Sequence, residues 1–276
     1  MSRFDEYRRL AQMIRGYAVK MTNLEHSGHV GSSLSMAELV SVLYSGILRV
    51  DPRRPGWPDR DRFILSKGHA AAGLYGALAE KGFFPTEWTD TYYRDDGRLC
   101  GHISHHVPGV EFSTGSLGHG LPVAAGMALV AKRAGKSHRI FVLMSDGDCN
   151  EGSTWEAIMF AAQHHFDNLI AIVDANRIQA LGHVKDVIDM EPFATRVEAF
   201  GWAVREIDGH DVEQIEKTLR AVPFEKGKPS FVIARTTKGK GIRSLENTVA
   251  SHYRCVPDEK LAEAYRELGV ADAFPV

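Results

Sequence analysis

The chain has 276 residues, 44% of them hydrophobic and 25% charged, and a formal net charge of −2 at pH 7. That balance supplies apolar material for a sizeable core and excludes broad nucleic-acid binding, which needs a basic face to displace counterions. No apolar run nears the roughly 20 residues that span a bilayer, and Cys100, Cys149 and Cys255 are too few and too scattered for a disulfide framework. The opening MSRFDEYRRLAQMI mixes both charge signs with apolar residues at helical spacing and lacks a signal-peptide core, so a cytoplasmic location is expected. Apolar residues recur at helical spacing over about 4–22, 35–48, 69–81, 121–133, 153–165, 191–200, 212–221 and 258–268. Between them lie the β-like runs RFILS (62–66), RIFVLMS (139–145), LIAIVDA (169–175), WAVREI (202–207) and SFVIART (230–236). From 139 onward strands alternate with helices, and the strands are continuously apolar. Both features predict an α/β fold with a parallel sheet covered by helices on both faces. The Pro- and Arg-rich DPRRPGWPDRDR (51–62) reads as a loop, and 1–276 as one domain.

The stretch LMSDGDCNEG (143–152) ends an apolar strand in Asp146, Asp148 and Glu151. With the helix and strand that follow, 139–176 is a βαβ unit whose second strand ends at Asp174-Ala175-Asn176. Ligands of open parallel sheets sit beyond the carboxyl ends of the strands, so Asp146 and Asn176 are expected side by side there. A carboxylate, an amide oxygen and a main-chain carbonyl suit Mg²⁺ or Ca²⁺ rather than zinc. Gly147 and Gly152 permit close backbone approach near a helix start, where phosphate is favoured. On these residues alone, a solvated turn with Asp146 as a helix cap is an equal alternative.

The string SDGDCNEG, with Asn176 thirty residues after Asp146, resembles the thiamine-diphosphate motif, Ser145 standing for its first glycine. HSGHVGSSLSMAELVSVLY (26–44), DRDRFILSKGHAAAGLYGAL (59–78), GVEFSTGSLGHGLPVAAGMAL (109–129) and TTKGKGI (236–242) resemble the N-terminal domain of transketolases, in family order. The resemblance implies a thiamine-diphosphate-binding fold over nearly the whole chain. It implies metal ligation by Asp146, Asn176 and the carbonyl of Ile178, and an N–H of Gly147 on the diphosphate. It places Gly115, Ser116 and Leu117 along the cofactor rings and makes Glu151 an interface glutamate. His29, His69, His102 and His252 match the family's active-site histidines, which bind sugar hydroxyls, move protons and, for His69 and His252, contact the cofactor. Asp148 receives no role and is expected as a solvated turn acid. Val30, Ile103, Tyr253, Ala180 and Leu181 depart from the family pattern and bear on the sugar more than on the cofactor. HISHH (102–106) also invites a zinc reading, but no Cys or acid of suitable spacing accompanies it.

Such enzymes transfer a two-carbon ketol unit between sugar phosphates, and their activating glutamate and phosphate-gripping residues lie in a second domain. The chain is therefore expected to be the N-terminal subunit of a split transketolase, catalytic only with a C-terminal subunit in a heterotetramer. The alternatives are the diphosphate-binding chain of a 2-oxo acid dehydrogenase or deoxyxylulose-phosphate synthase relative, and a non-catalytic cofactor module.

Overall fold

Continuous runs of aliphatic side chains have no polar face to offer water, and here the inner strands of the sheet are buried on both faces, while the edge strand at 203–208 exposes Arg205, Glu206 and Asp208. The computed structural model describes residues 2–276. Its strands are β1 (Arg62–Leu65), β2 (Ile140–Ser145), β3 (Leu169–Ala175), β4 (Ala203–Asp208) and β5 (Ser230–Arg235). They pair in the order β1-β2-β3-β5-β4, each pair parallel. The helices are α1 (Arg3–Leu24), α2 (Val30–Ser35), α3 (Ala37–Val42), α4 (Ala71–Glu80), α5 (Gly120–Arg133), α6 (Gly152–Gln163), α7 (Val184–Val187), α8 (Phe193–Ala199), α9 (Val212–Arg220), α10 (Ala250–Tyr253) and α11 (Leu261–Glu267). The expected helix over 35–48 is shorter and closes in a π-turn at Leu43–Ile47. Sequence periodicity passes over α2, α7 and α10 because four to six residues are too few to show a period. Asp211 caps α9, accepting from the N–H groups of Glu213 and Gln214.

Side-chain alternation along each strand sorts the interior into two layers. Phe63, Leu65, Phe141, Leu143, Ile170, Ile172 and Val232 face a core built with α1, α3, α4 and α9. Ile64, Ile140, Val142, Met144, Ala171, Val173 and Ile233 face α5, α6 and α8. The same parity carries past the strand ends. Asp174 follows Ile170 and Ile172 onto the α1–α4 side, and Thr236 follows Val232 and Ala234 there. Polar groups of neighbouring strands thus converge on one face.

Gly68, just after β1, lies against the backbone of Thr114, and a Cβ at this position overlaps the Thr114 carbonyl. Gly68→Ala is expected to destabilise the fold by about 1–3 kcal/mol, the usual cost of overpacking. A lowered urea midpoint at unchanged m value is the check.

Candidate active site

Ser145 pairs with Asp174 in the β2–β3 ladder, so Asp146 and Asn176 leave neighbouring strand ends together. The Asp146 carboxylate accepts from the N–H of Arg177 at 2.8 Å and of Gly147 at 3.1 Å. The Asn176 amide oxygen accepts from the Ile178 N–H at 3.1 Å, and the Ile178 carbonyl accepts from Lys238 Nζ at 2.9 Å. Burial, reinforced by the nearby Asp174 carboxylate, raises Asp146 to about 7. A buried carboxylate in that position is stabilised by a cation. Among the described residues no three His, Cys, Asp or Glu side chains converge as a metal cluster. The available donors are one carboxylate, one amide oxygen and one carbonyl, an all-oxygen set that fits Mg²⁺ or Ca²⁺.

These groups line a cleft of about 510 Å³ together with His29, His69, His102 and His252. The ring of His29 is 4.9 Å from that of His252, 5.1 Å from that of His69 and 5.7 Å from that of His102. His29, His69 and His252 are partly buried and His102 is exposed. The His29 backbone is left-handed, φ 71°, and its N–H donates to the His252 carbonyl at 2.8 Å. This conformation is uncommon for a side-chain-bearing residue. Burial lowers His29 to about 4, assisted by repulsion from His102 and Lys238. Burial and Lys238 lower His252 to about 3, and burial and Lys67 hold His69 well below its ordinary value. At neutral pH these three rings are uncharged, able both to donate and to accept.

The loop 113–120 supplies Gly115 and Leu117 to the cleft. Ser116, at a bend between them, is exposed. Gly147 sits under Leu117, where a Cβ meets the Leu117 side chain at 3.1 Å. Glu151 lies exposed at the rim, ahead of α6. Asp148 requires a correction. It is not a solvated acid but wholly buried, and four hydrogen bonds from Ser66, Gly118 and Ser145 stabilise its carboxylate there. A larger hollow of about 950 Å³ shares Asp146, Asn176 and Ile178 but contains none of the four histidines. Its Arg235 is already paired with Glu191 and Glu206.

Three buried groups escaped the sequence reading. Lys67 and Asp174, each fully buried, form an ion pair. Asp174 also accepts from Ser35 Oγ at 2.6 Å, from Thr236 Oγ1 and from the Asn176 amide at 3.3 Å. Its burial penalty is outweighed by Lys67 and these donors, which hold the carboxyl below its usual range. Lys238, 2% exposed, reaches the Ile178 carbonyl and stands 3.0 Å from His252 Nδ1. Burial and repulsion from Lys67 lower it to about 8. The signal for Lys238 was present in TTKGKGI, a lysine between Thr237 and Gly239 shortly after a strand end. Lys67 and Asp174 looked like ordinary strand-end residues.

The family model of the transketolase thiamine diphosphate binding domain matches residues 6–276. The chain belongs to the transketolase family. It is 43% identical over 267 residues to an apulose-4-phosphate transketolase subunit of Actinobacillus succinogenes, covering 96% of each chain. It is 39% identical over 259 residues to a 6-deoxy-6-sulfo-D-fructose transketolase subunit of a Clostridium species, covering 94% of each. The solved transketolase of Campylobacter jejuni superposes with a TM-score of 0.91 at 34% identity, over 96% of this chain and 43% of that one. For the Leishmania mexicana enzyme the TM-score is 0.89 at 31% identity, over 95% and 41%. The chain thus spans less than half the length of these solved transketolases. As in that family, the sheet is parallel and covered by helices, and the matched domain is the one that binds thiamine diphosphate.

Two outcomes follow from the buried charges of this transketolase chain. Histidines of the unfolded chain protonate near 6.5, whereas His29, His252 and His69 stay neutral to lower pH in the fold. The unfolded state therefore gains protons first. The histidine contribution to stability is complete above about 6.5 and is lost as pH drops toward 4, which the difference in urea midpoints between wild type and His29→Asn across that range measures, the variant falling less steeply. Lys67→Met leaves Asp174 buried without its cation and is expected to cost about 3–5 kcal/mol, much of it recovered in Lys67→Met/Asp174→Asn. A double-mutant cycle of unfolding free energies checks this.

Proposed function

We propose that this chain is the cofactor-binding N-terminal subunit of a two-chain transketolase, moving a two-carbon ketol unit from a ketose phosphate to an aldose phosphate. The carrying observation is the match itself: over 96% and 94% of its residues the chain aligns, at 43% and 39% identity, with proteins named as transketolase subunits. The cleft agrees with half a site. Among the described residues, its lining holds Lys238 as its one cation for anionic substrate or cofactor groups, and Glu151 as its one acid besides Asp146. The other half, with the residue that activates the cofactor and those that grip the sugar phosphate, belongs to a separate C-terminal subunit. An assembly of two chains of each kind in the cytoplasm is the form we assign, with residues 1–276 acting as one cofactor domain. The names of the relatives, acting on apulose 4-phosphate and on a sulfonated deoxyfructose, favour a specialised sugar over general pentose-phosphate turnover.

Bound thiamine diphosphate supplies a carbon nucleophile and an electron sink for cleavage of a carbon–carbon bond beside a carbonyl. Around it, Asp146, Asn176 and the Ile178 carbonyl would hold Mg²⁺, while the Gly147 N–H and the Lys238 ammonium offset diphosphate charge. Gly115 and Leu117 line the ring side. Neutral His29, His69 and His252 exchange hydrogen bonds with sugar hydroxyls and can take or return a proton. The exposed His102 stands at the mouth, where the sugar enters.

The test is reconstitution. Purified chain alone should show no ketol transfer, and mixing it with a C-terminal subunit should restore it; robust turnover by the isolated chain rules out the two-chain reading. Asp146→Asn should weaken Mg²⁺-dependent thiamine diphosphate binding by at least about 10–100-fold, the range seen when a group supporting a metal is lost. Calorimetry reads that change directly.

A further inference from the structure

We infer that Asp148 is a positioning residue that sets the ring-side loop of the cofactor site against its diphosphate turn. The inference rests on the cofactor reading above. One oxygen of the Asp148 carboxylate accepts from Ser66 Oγ at 2.7 Å and from the Gly118 N–H at 2.8 Å. The other accepts from the Ser145 N–H at 2.8 Å and Ser145 Oγ at 3.0 Å. Each leg reaches a different segment of the site. Ser66 opens the turn that carries Lys67 and His69, Gly118 ends the loop that presents Gly115 and Leu117, and Ser145 directly precedes Asp146 and Gly147.

The loop is gripped from both sides of Gly118, whose carbonyl accepts from Ser153 Oγ at 2.8 Å. Gly118 has φ 79° and a Cβ there comes within 2.5 Å of the Glu151 side chain, so the grip requires glycine. The backbone of Asp148 is itself fixed: its N–H donates to Ser145 Oγ at 3.1 Å and its carbonyl accepts from Thr154 Oγ1 at 2.6 Å. Every partner of the carboxylate is a donor, and two of them are main-chain N–H groups on opposite oxygens. An asparagine therefore fails in either orientation, since its NH₂ faces the Gly118 N–H in one and the Ser145 N–H in the other. The role is thus specific to a carboxylate.

The experiment uses the full chain with Mg²⁺. Thiamine diphosphate is titrated calorimetrically, and inorganic pyrophosphate is measured as its competitor. Asp148→Asn is expected to weaken thiamine diphosphate at least about tenfold, the scale of one buried donor left unpaired, while pyrophosphate changes less than about twofold. Ser66→Ala, which keeps three of the four bonds, should shift thiamine diphosphate about threefold in the same direction, and it decides the matter if Asp148→Asn does not fold. Equal loss for both ligands overturns the inference by showing general damage, as does an unchanged thiamine diphosphate affinity or a wild-type chain in which pyrophosphate does not compete. Wild-type chain that binds no thiamine diphosphate either alone or mixed with its C-terminal subunit overturns the cofactor reading itself, and the inference with it.

Discussion

Charge balance in a space closed to water governs this site. Besides Asp148, whose carboxylate is satisfied by hydrogen bonds alone, two carboxylates, Asp146 and Asp174, and two ammonium groups, Lys67 and Lys238, are almost wholly buried at the ends of β2, β3 and β5 and in the turn after β1. Lys67 and Asp174 neutralise each other and are further tied to Ser35, Thr236 and Asn176. What remains is one acid pushed up and one base pushed down, Asp146 to about 7 and Lys238 to about 8. The two offset each other only in part, so a cation beside Asp146 and an anion beside Lys238 would each lower the cost of their burial.

The histidines obey the same constraint in a different way. Carrying a positive charge next to Lys238 in a buried cleft is unfavourable, so the rings of His29, His69 and His252 are held neutral. A neutral imidazole suits polyol recognition because one nitrogen donates and the other accepts. The strained backbone at His29 and its bond to the His252 carbonyl keep two of these rings together across 223 positions of sequence.

Part of this was legible in one dimension. The inner strands β2, β3 and β5 stood out because burial on both faces leaves no polar alternation, and α1, α5 and α9 because a long amphipathic face shows its period. Asp146 and Asn176 could be paired from the rule that parallel strands end together. Asp148 could not be placed. A turn acid between two glycine-rich segments looks solvated until Ser66 and Gly118, 82 and 30 positions away, are known to point at it.

From the order of residues alone came the α/β class, the parallel sheet and the family, because these depend on local periodicity and on short motifs kept in order along the chain. The tertiary structure alone decided which charges are paired, which histidines are neutral and which acid is buried. Those properties follow from burial and from contacts between distant segments, and both are settled only when the chain has closed on itself.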